Sequence, residues 1–230
     1  MEYKCGNCGA DITDVDSGKC PNCGSEFEIP MDPIPWEDRD ELGIVGAYTA
    51  TLLLSLSKPN QFFKRMPVSG GFANPLIYAL ICGLIGTWFN FLWQILFISM
   101  GIMEPDPQSP DSTLRFNLLL AILSPVIIPV GLLLGTGAIH IALNLLGVLR
   151  NNFEATFRVV CYSSGATVLG IIPIIGSLAG GFLSIALETM GLREIYEIST
   201  GKAFAAIMIP FLFLCGVLFF AILLSSAPGG

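Results

Sequence analysis

From about residue 72 the chain reads as long apolar runs separated by short polar stretches, at about 75–100, 117–147, 155–173, 175–192 and 203–224. A helix rising 1.5 Å per residue needs about 20 apolar residues to cross hydrocarbon, so each run is long enough, or nearly so, to span a bilayer. Five transmembrane helices are predicted. The second run exceeds a membrane thickness and is expected to tilt, to kink near Pro125 and Pro129, or to continue past the bilayer. The third and fourth meet at Pro173, which predicts a hairpin with almost no loop. Ahead of them Leu42–Ser57 is uncharged and mostly apolar but only sixteen residues long, and Lys58, Phe62, Phe63, Lys64 and Arg65 follow it. That length and flank predict an amphipathic helix lying in the headgroup region, with an additional span as the alternative.

The first forty residues follow a different pattern, with no apolar period and four cysteines spaced as Cys5-x2-Cys8 and Cys20-x2-Cys23. Two such pairs supply four soft thiolates, the number a closed tetrahedral structural Zn²⁺ site requires, and the spacing predicts a short zinc ribbon. Gly6, Gly9, Pro21 and Gly24 flank the pairs as turn residues. About 25 residues cannot bury a useful core, so metal binding supplies the folding energy of such a unit. A redox Cys-x-x-Cys is the rival reading, and it expects a thioredoxin-like strand and helix that this segment lacks. Residues 25–40 carry Pro30, Pro33 and Pro35 with six acidic residues, the composition of an extended linker. The expected organisation is a ribbon at 1–28, an acidic Pro-rich linker at 29–41, an interfacial helix at 42–66 and a membrane domain at 72–225.

Composition sharpens this division. Hydrophobic residues make up 53% of the 230, charged residues 13%, and the mean hydropathy is +0.72, outside the range of a soluble domain. The formal net charge of −7 is uneven: residues 1–41 hold eleven of the eighteen acidic residues against Lys4, Lys19 and Arg39. An acidic ribbon argues against nucleic acid as its partner, because phosphate binding needs a basic face. The first residues are polar and lead directly into the metal ligands, so a secretory signal is not expected. Basic residues alternate between loops. Lys58, Lys64 and Arg65 precede the first span, Arg150 and Arg158 bracket the second loop, and Arg193 and Lys202 occupy the fourth, whereas the first loop carries Glu104, Asp106 and Asp111 against Arg115. The positive-inside rule then predicts a cytosolic amino terminus and an outer carboxyl terminus. A reducing compartment also suits the thiolates.

Candidate chemistry within the spans is sparse. The sole histidine, His140, has Asn144 four residues later on the same helix side, which suggests either a polar solute path or a hydrogen bond that fixes packing. Glu188 and Arg193 read as anchors at the membrane boundary. Gly131-x3-Gly135 and Gly176-x3-Gly180 allow close helix approach, within the bundle or between copies in a homo-oligomer. No Gly-x-Ser-x-Gly turn and no phosphate-binding loop accompany them, so the expectation is a protein that is not an enzyme.

Three stretches carry a family likeness: Ser57-Lys-Pro-Asn-Gln-Phe-Phe-Lys-Arg-Met66; Phe157-Arg-Val-Val-Cys-Tyr162 leading to Ile172-Pro-Ile-Ile-Gly176; and Gly191-Leu-Arg-Glu-Ile-Tyr196 leading to Gly201-Lys-Ala203 and Ile209-Pro210. With His140, they make residues 42–225 resemble the Yip domain proteins, named for interaction with Ypt/Rab small GTPases. The resemblance implies an all-α polytopic bundle of five spans with a cytosolic amino terminus, and it supplies no catalytic residue. The added ribbon resembles prokaryotic versions, which points to a bacterial plasma membrane. Two functions follow as expectations. One is a scaffold whose zinc ribbon docks a cytosolic protein partner at the lipid bilayer. The other is lipid or small-solute transport through the bundle.

Overall fold

The computed structural model describes residues 4–11, 19–25, 34–103 and 110–226. Most of the expected linker's first half, the ribbon's central excursion and the loop acids Glu104 and Asp106 lie outside them. Contacts divide the chain into two units, Met1–Pro33 and Ile34–Gly230.

The first unit, in its described residues, consists of two cysteine turns and an antiparallel bridge between Lys4 and Asp11. The second consists of helices and their connections, with no strand among its described residues. A 3₁₀ turn, Pro35–Asp38, runs into the single-turn helix α1 (Arg39–Leu42), followed by α2 (Ile44–Ser57) and α3 (Pro59–Arg65). The long helices α4 (Ala73–Ser99) and α5 (Pro110–Leu145) come next, then α6 (Phe153–Ser163), a 3₁₀ segment Ser164–Ile171, α7 (Gly176–Tyr196) and α8 (Thr200–Ser226).

Among the described residues, three helical stretches are long and apolar enough to cross a membrane: Ala73–Ser99, Thr113–Leu145 and Thr200–Val217. The sequence pattern predicted five. The run at 155–173 divides because α6 is drawn into the core, where every residue from Ala155 to Ser163 is buried, and the remainder winds as a 3₁₀ helix. The run at 175–192 belongs to a helix whose apolar character is diluted by glycines, Glu188, Arg193 and Glu194. By length, α6 with its 3₁₀ extension and α7 each still reach about 30 Å.

A 3₁₀ run of eight residues is unusually long. It is held because α4 and α7 approach it closely from either side. A Cβ on Gly86 of α4 would come within 2.6 Å of the Thr167 carbonyl oxygen, and one on Gly180 of α7 within 2.7 Å of that of Ala166. Thus one of the two small-residue motifs serves intramolecular packing. Helix α5 stays continuous through Pro125 and Pro129. Pro125 cannot donate to Ala121, four residues earlier, and the Ser124 hydroxyl takes over that carbonyl at 2.6 Å.

Two expectations need correction. Helix α2 is not amphipathic in the interfacial sense: Ala47, Thr51 and Ser55 are buried, whereas Ile44, Val45 and Leu53 are exposed. Thr51 and Ser55 face inward because they serve the fold; Thr51 Oγ1 accepts the Trp36 backbone N–H at 2.8 Å. Residues 34–41, read as linker, are anchored to the bundle. Trp36 is buried, its indole N–H donates to the Asn74 carbonyl at 2.7 Å, and Arg39 lies over its ring at 5.2 Å. Prolines and acids give this segment the composition of a linker, and the isolated Trp36 among them is what anchors it.

Candidate functional site

The two cysteine turns are built alike. In the first, the Cys5 N–H donates to the Ala10 carbonyl and the Gly9 N–H to that of Cys5, both at 2.8 Å; in the second, Cys20 N–H reaches Ser25 at 2.9 Å and Gly24 N–H reaches Cys20 at 2.8 Å. Gly9 and Gly24 both have a φ of 70°, the left-handed conformation that closes each turn and that glycine adopts without a Cβ penalty. This repeat brings the Sγ atoms of Cys5, Cys8, Cys20 and Cys23 within 4.8 Å of one another. The Sγ separations are 3.7 Å for Cys5–Cys23 and 3.5 Å for Cys8–Cys20. Thiolates about 2.3 Å from a tetrahedral Zn²⁺ lie roughly 3.8 Å apart, so the cluster has the size that such an ion needs.

Around Cys5 and Cys23 the environment favours the thiolate, the form that ligates metal, whereas burial and the neighbouring thiols push Cys20 up to about 11. Ser25 Oγ lies 3.0 Å from Cys23 Sγ and 3.3 Å from Cys5 Sγ. Its hydroxyl, followed by the backbone amides of Asn7 and Cys8, holds the Cys5 thiol down to about 6. The same hydroxyl and the Ser25 amide lower Cys23. Ser25 is a contributor that cysteine spacing alone does not reveal. Cys5 and Cys20 are buried and Cys8 and Cys23 exposed, so the second cysteine of each pair sits at the surface with the turn around it.

In the bundle, His140 Nδ1 lies 2.8 Å from Thr156 Oγ1, which in turn lies 2.6 Å from the Tyr196 hydroxyl. This chain links α5, α6 and α7. Phe153 packs edge-on against the imidazole with ring centroids 5.6 Å apart. Asn144 is exposed and takes no part, so the structure does not bring the two together at one site. Identical periodicity places residues on a common side of a helix, but the packed face at this end is narrower than that side.

A second polar cluster escaped the sequence reading. Arg158 was counted as a loop cation, yet its side chain is fully buried and pairs with Glu37. Glu37 also accepts the Tyr162 hydroxyl at 2.6 Å, and Arg158 Nη1 donates to the Gly71 carbonyl at 3.2 Å. Glu188, read as a boundary anchor, instead lines a cavity between α4, α5, the 3₁₀ segment and α7. Arg193 does behave as a surface cation, donating to Asn60 of α3 at 2.9 Å and pairing with Glu194.

A helical bundle whose described residues include three apolar helices long enough to cross a membrane, preceded by four cysteines that could hold a metal, is of membrane-protein type. The Yip1 domain family model matches residues 53–222, and the chain belongs to that family. No curated protein and no solved structure matches it significantly.

Proposed function

We propose that this Yip1-family protein is a non-enzymatic membrane scaffold whose ribbon, folded around structural Zn²⁺, docks a soluble partner at the bilayer surface. The observation that carries this reading is the thiol cluster of residues 5–23, sized for Zn²⁺ and housed in a compact unit of its own. A metal there acts by holding the two turns together. It leaves no open coordination position for a substrate, because all four positions are taken by Cys5, Cys8, Cys20 and Cys23. What the ribbon can offer is its surface, where Gly6, Asn7, Pro21 and Asn22 are exposed.

Orientation is part of the proposal. Lys64 and Arg65 end α3, which packs on α7 beside Arg193, and this gathers basic side chains at one end of the bundle. By the positive-inside rule that end faces the cytosol. Arg158 drops out of the count because it is buried in an ion pair, but the remaining residues keep the same sign. The ribbon then lies in the compartment where thiols stay reduced. Transport through His140 has less support, since its imidazole is engaged by Thr156 and Phe153.

The test is the metal content of detergent-purified protein beside a Cys20→Ser/Cys23→Ser variant, with both passed over a cytosolic lysate. One zinc per chain, with a set of partners that the variant loses, is the expected result. Zinc-free protein, or the same partners on both, overturns the docking reading.

A further inference from the structure

The cavity lined by Glu188 measures about 640 Å³, within the range of small-molecule sites. On its α7 wall, Ser177, Gly181 and Glu188 are spaced four and seven residues apart and therefore form one stripe. The rise of the helix separates Ser177 from Glu188 by roughly 16 Å, so the cavity is a slot running along the bundle. A second cavity, of about 460 Å³, shares Thr87 and Asn90 with it and continues to Gln94 and Asn117. The opposite wall, from α5, is apolar: Ile127, Ile128, Leu132 and Ile139, with Gly131 and Gly135 between them.

The hydroxyls of Ser164, Thr167 and Ser177 turn their hydrogens into the protein. Ser164 Oγ donates to the Cys161 carbonyl at 2.6 Å and Thr167 Oγ1 to the Ser164 carbonyl at 2.7 Å. Ser177 donates to Asn90 Oδ1, and Asn90 Nδ2 donates to the Gly86 carbonyl at 2.7 Å. These three hydroxyls keep lone pairs free for a ligand, while Asn90 retains its second amide hydrogen as a donor. Glu188 adds a carboxylate with no hydrogen-bond or ion-pair partner among the described residues. A carboxylate among apolar helices is costly and calls for a cation. A divalent metal would need about six oxygen ligands, and a single carboxylate does not provide that shell. An anionic group would face the Glu188 carboxylate with no cationic residue lining the slot to offset the repulsion.

We propose that this slot binds an alkylammonium group, with the cation at Glu188 and the hydrocarbon body along the α5 wall. The site is independent of the ribbon and of the docking reading. The ammonium could belong to a free aliphatic amine or to an amine-bearing lipid headgroup, and the two sources are separable.

The full chain is reconstituted in phosphatidylglycerol nanodiscs and offered octylamine in one arm and admixed phosphatidylethanolamine in the other, and the retained ligand is read by native mass spectrometry. Retention of octylamine assigns a free amine, and retention of phosphatidylethanolamine assigns a headgroup. In either case Glu188→Gln, which keeps the shape and removes the charge, is expected to lower retention at least tenfold. A Cβ on Gly131 meets nothing within 4 Å, so Gly131→Leu should fill the slot, keep the thermal midpoint and expel the ligand. The second variant decides the matter if the first fails to fold. No retention in either arm, octanol retained as well as octylamine, or retention unchanged in both variants overturns the proposal.

Discussion

Arg158 and Glu37 stand 121 residues apart in sequence and form a buried ion pair that fastens the segment before α1 to α6. Tyr162 joins the same carboxylate, and Arg158 also lies 5.9 Å from the centroid of the Tyr162 ring. Removing one partner of such a pair leaves an uncompensated charge, which costs about 3–5 kcal/mol, whereas replacing both by apolar groups is often close to neutral. Glu37→Ala should therefore lower the thermal midpoint in detergent sharply, and Arg158→Met in the same chain should recover most of the loss. Independent, additive losses in the double variant would show that the two residues do not act as a pair.

The chain His140–Thr156–Tyr196 makes a parallel case for a structural histidine. Thr156→Val removes the group that both neighbours use, leaving the buried Tyr196 hydroxyl without a partner at about 1–3 kcal/mol, while the half-buried His140 imidazole can turn to water. Asn144→Ala, on an exposed position four residues from His140, should stay within about 0.5 kcal/mol. Thermal unfolding of the two variants checks the contrast. Equal losses would return Asn144 to the site.

How much of this was legible in the sequence depends on the range over which each feature is determined. The thiol cluster was readable because cysteine spacing within each turn and the two glycines at positive φ are local properties. Apolar helices α4, α5 and α8 were readable because length and hydropathy alone define them. Residues 155–171 were misread as a plain span because their hydropathy is that of a membrane helix, while their winding is dictated by Gly86 and Gly180 on other helices. Nothing in one sequence assigns Glu37 to Arg158, since each is an ordinary surface charge until the chain brings them together. Glu188 was misplaced for the same reason. A carboxylate near a helix end looks like an anchor unless the facing walls are known.

The two small-residue motifs make opposite predictions. Gly180→Ala drives a Cβ against the backbone of the 3₁₀ segment, 2.7 Å from the Ala166 oxygen, where no flexible side chain can yield. Overpacking of this kind costs about 1–3 kcal/mol. Gly135→Ala enters open space and gains helix propensity, worth up to about 1 kcal/mol. Midpoints that fall for the first and hold or rise for the second would fit intramolecular packing by Gly180. The reverse order would point to Gly135 as the packed residue.

Ile174 provides the last test, because it is strained where the sequence suggests only a turn. The connection between the 3₁₀ segment and α7 takes four residues, Ile172–Ile175, and closes with the Ile175 N–H on the Pro173 carbonyl at 2.7 Å. Such a tight reversal forces Ile174 to a φ of 66°, a left-handed conformation that a β-branched side chain strongly disfavours. The side chain is 79% exposed and so contributes little packing within the chain to offset that strain. Ile174→Gly relieves a cost of about 1–3 kcal/mol and gives back part of it as entropy of the unfolded chain. The variant should therefore unfold at a higher temperature than the parent in detergent. In a bilayer the gain should shrink if the exposed isoleucine inserts among lipid tails, so the difference between the two midpoints measures how deeply this hairpin sits.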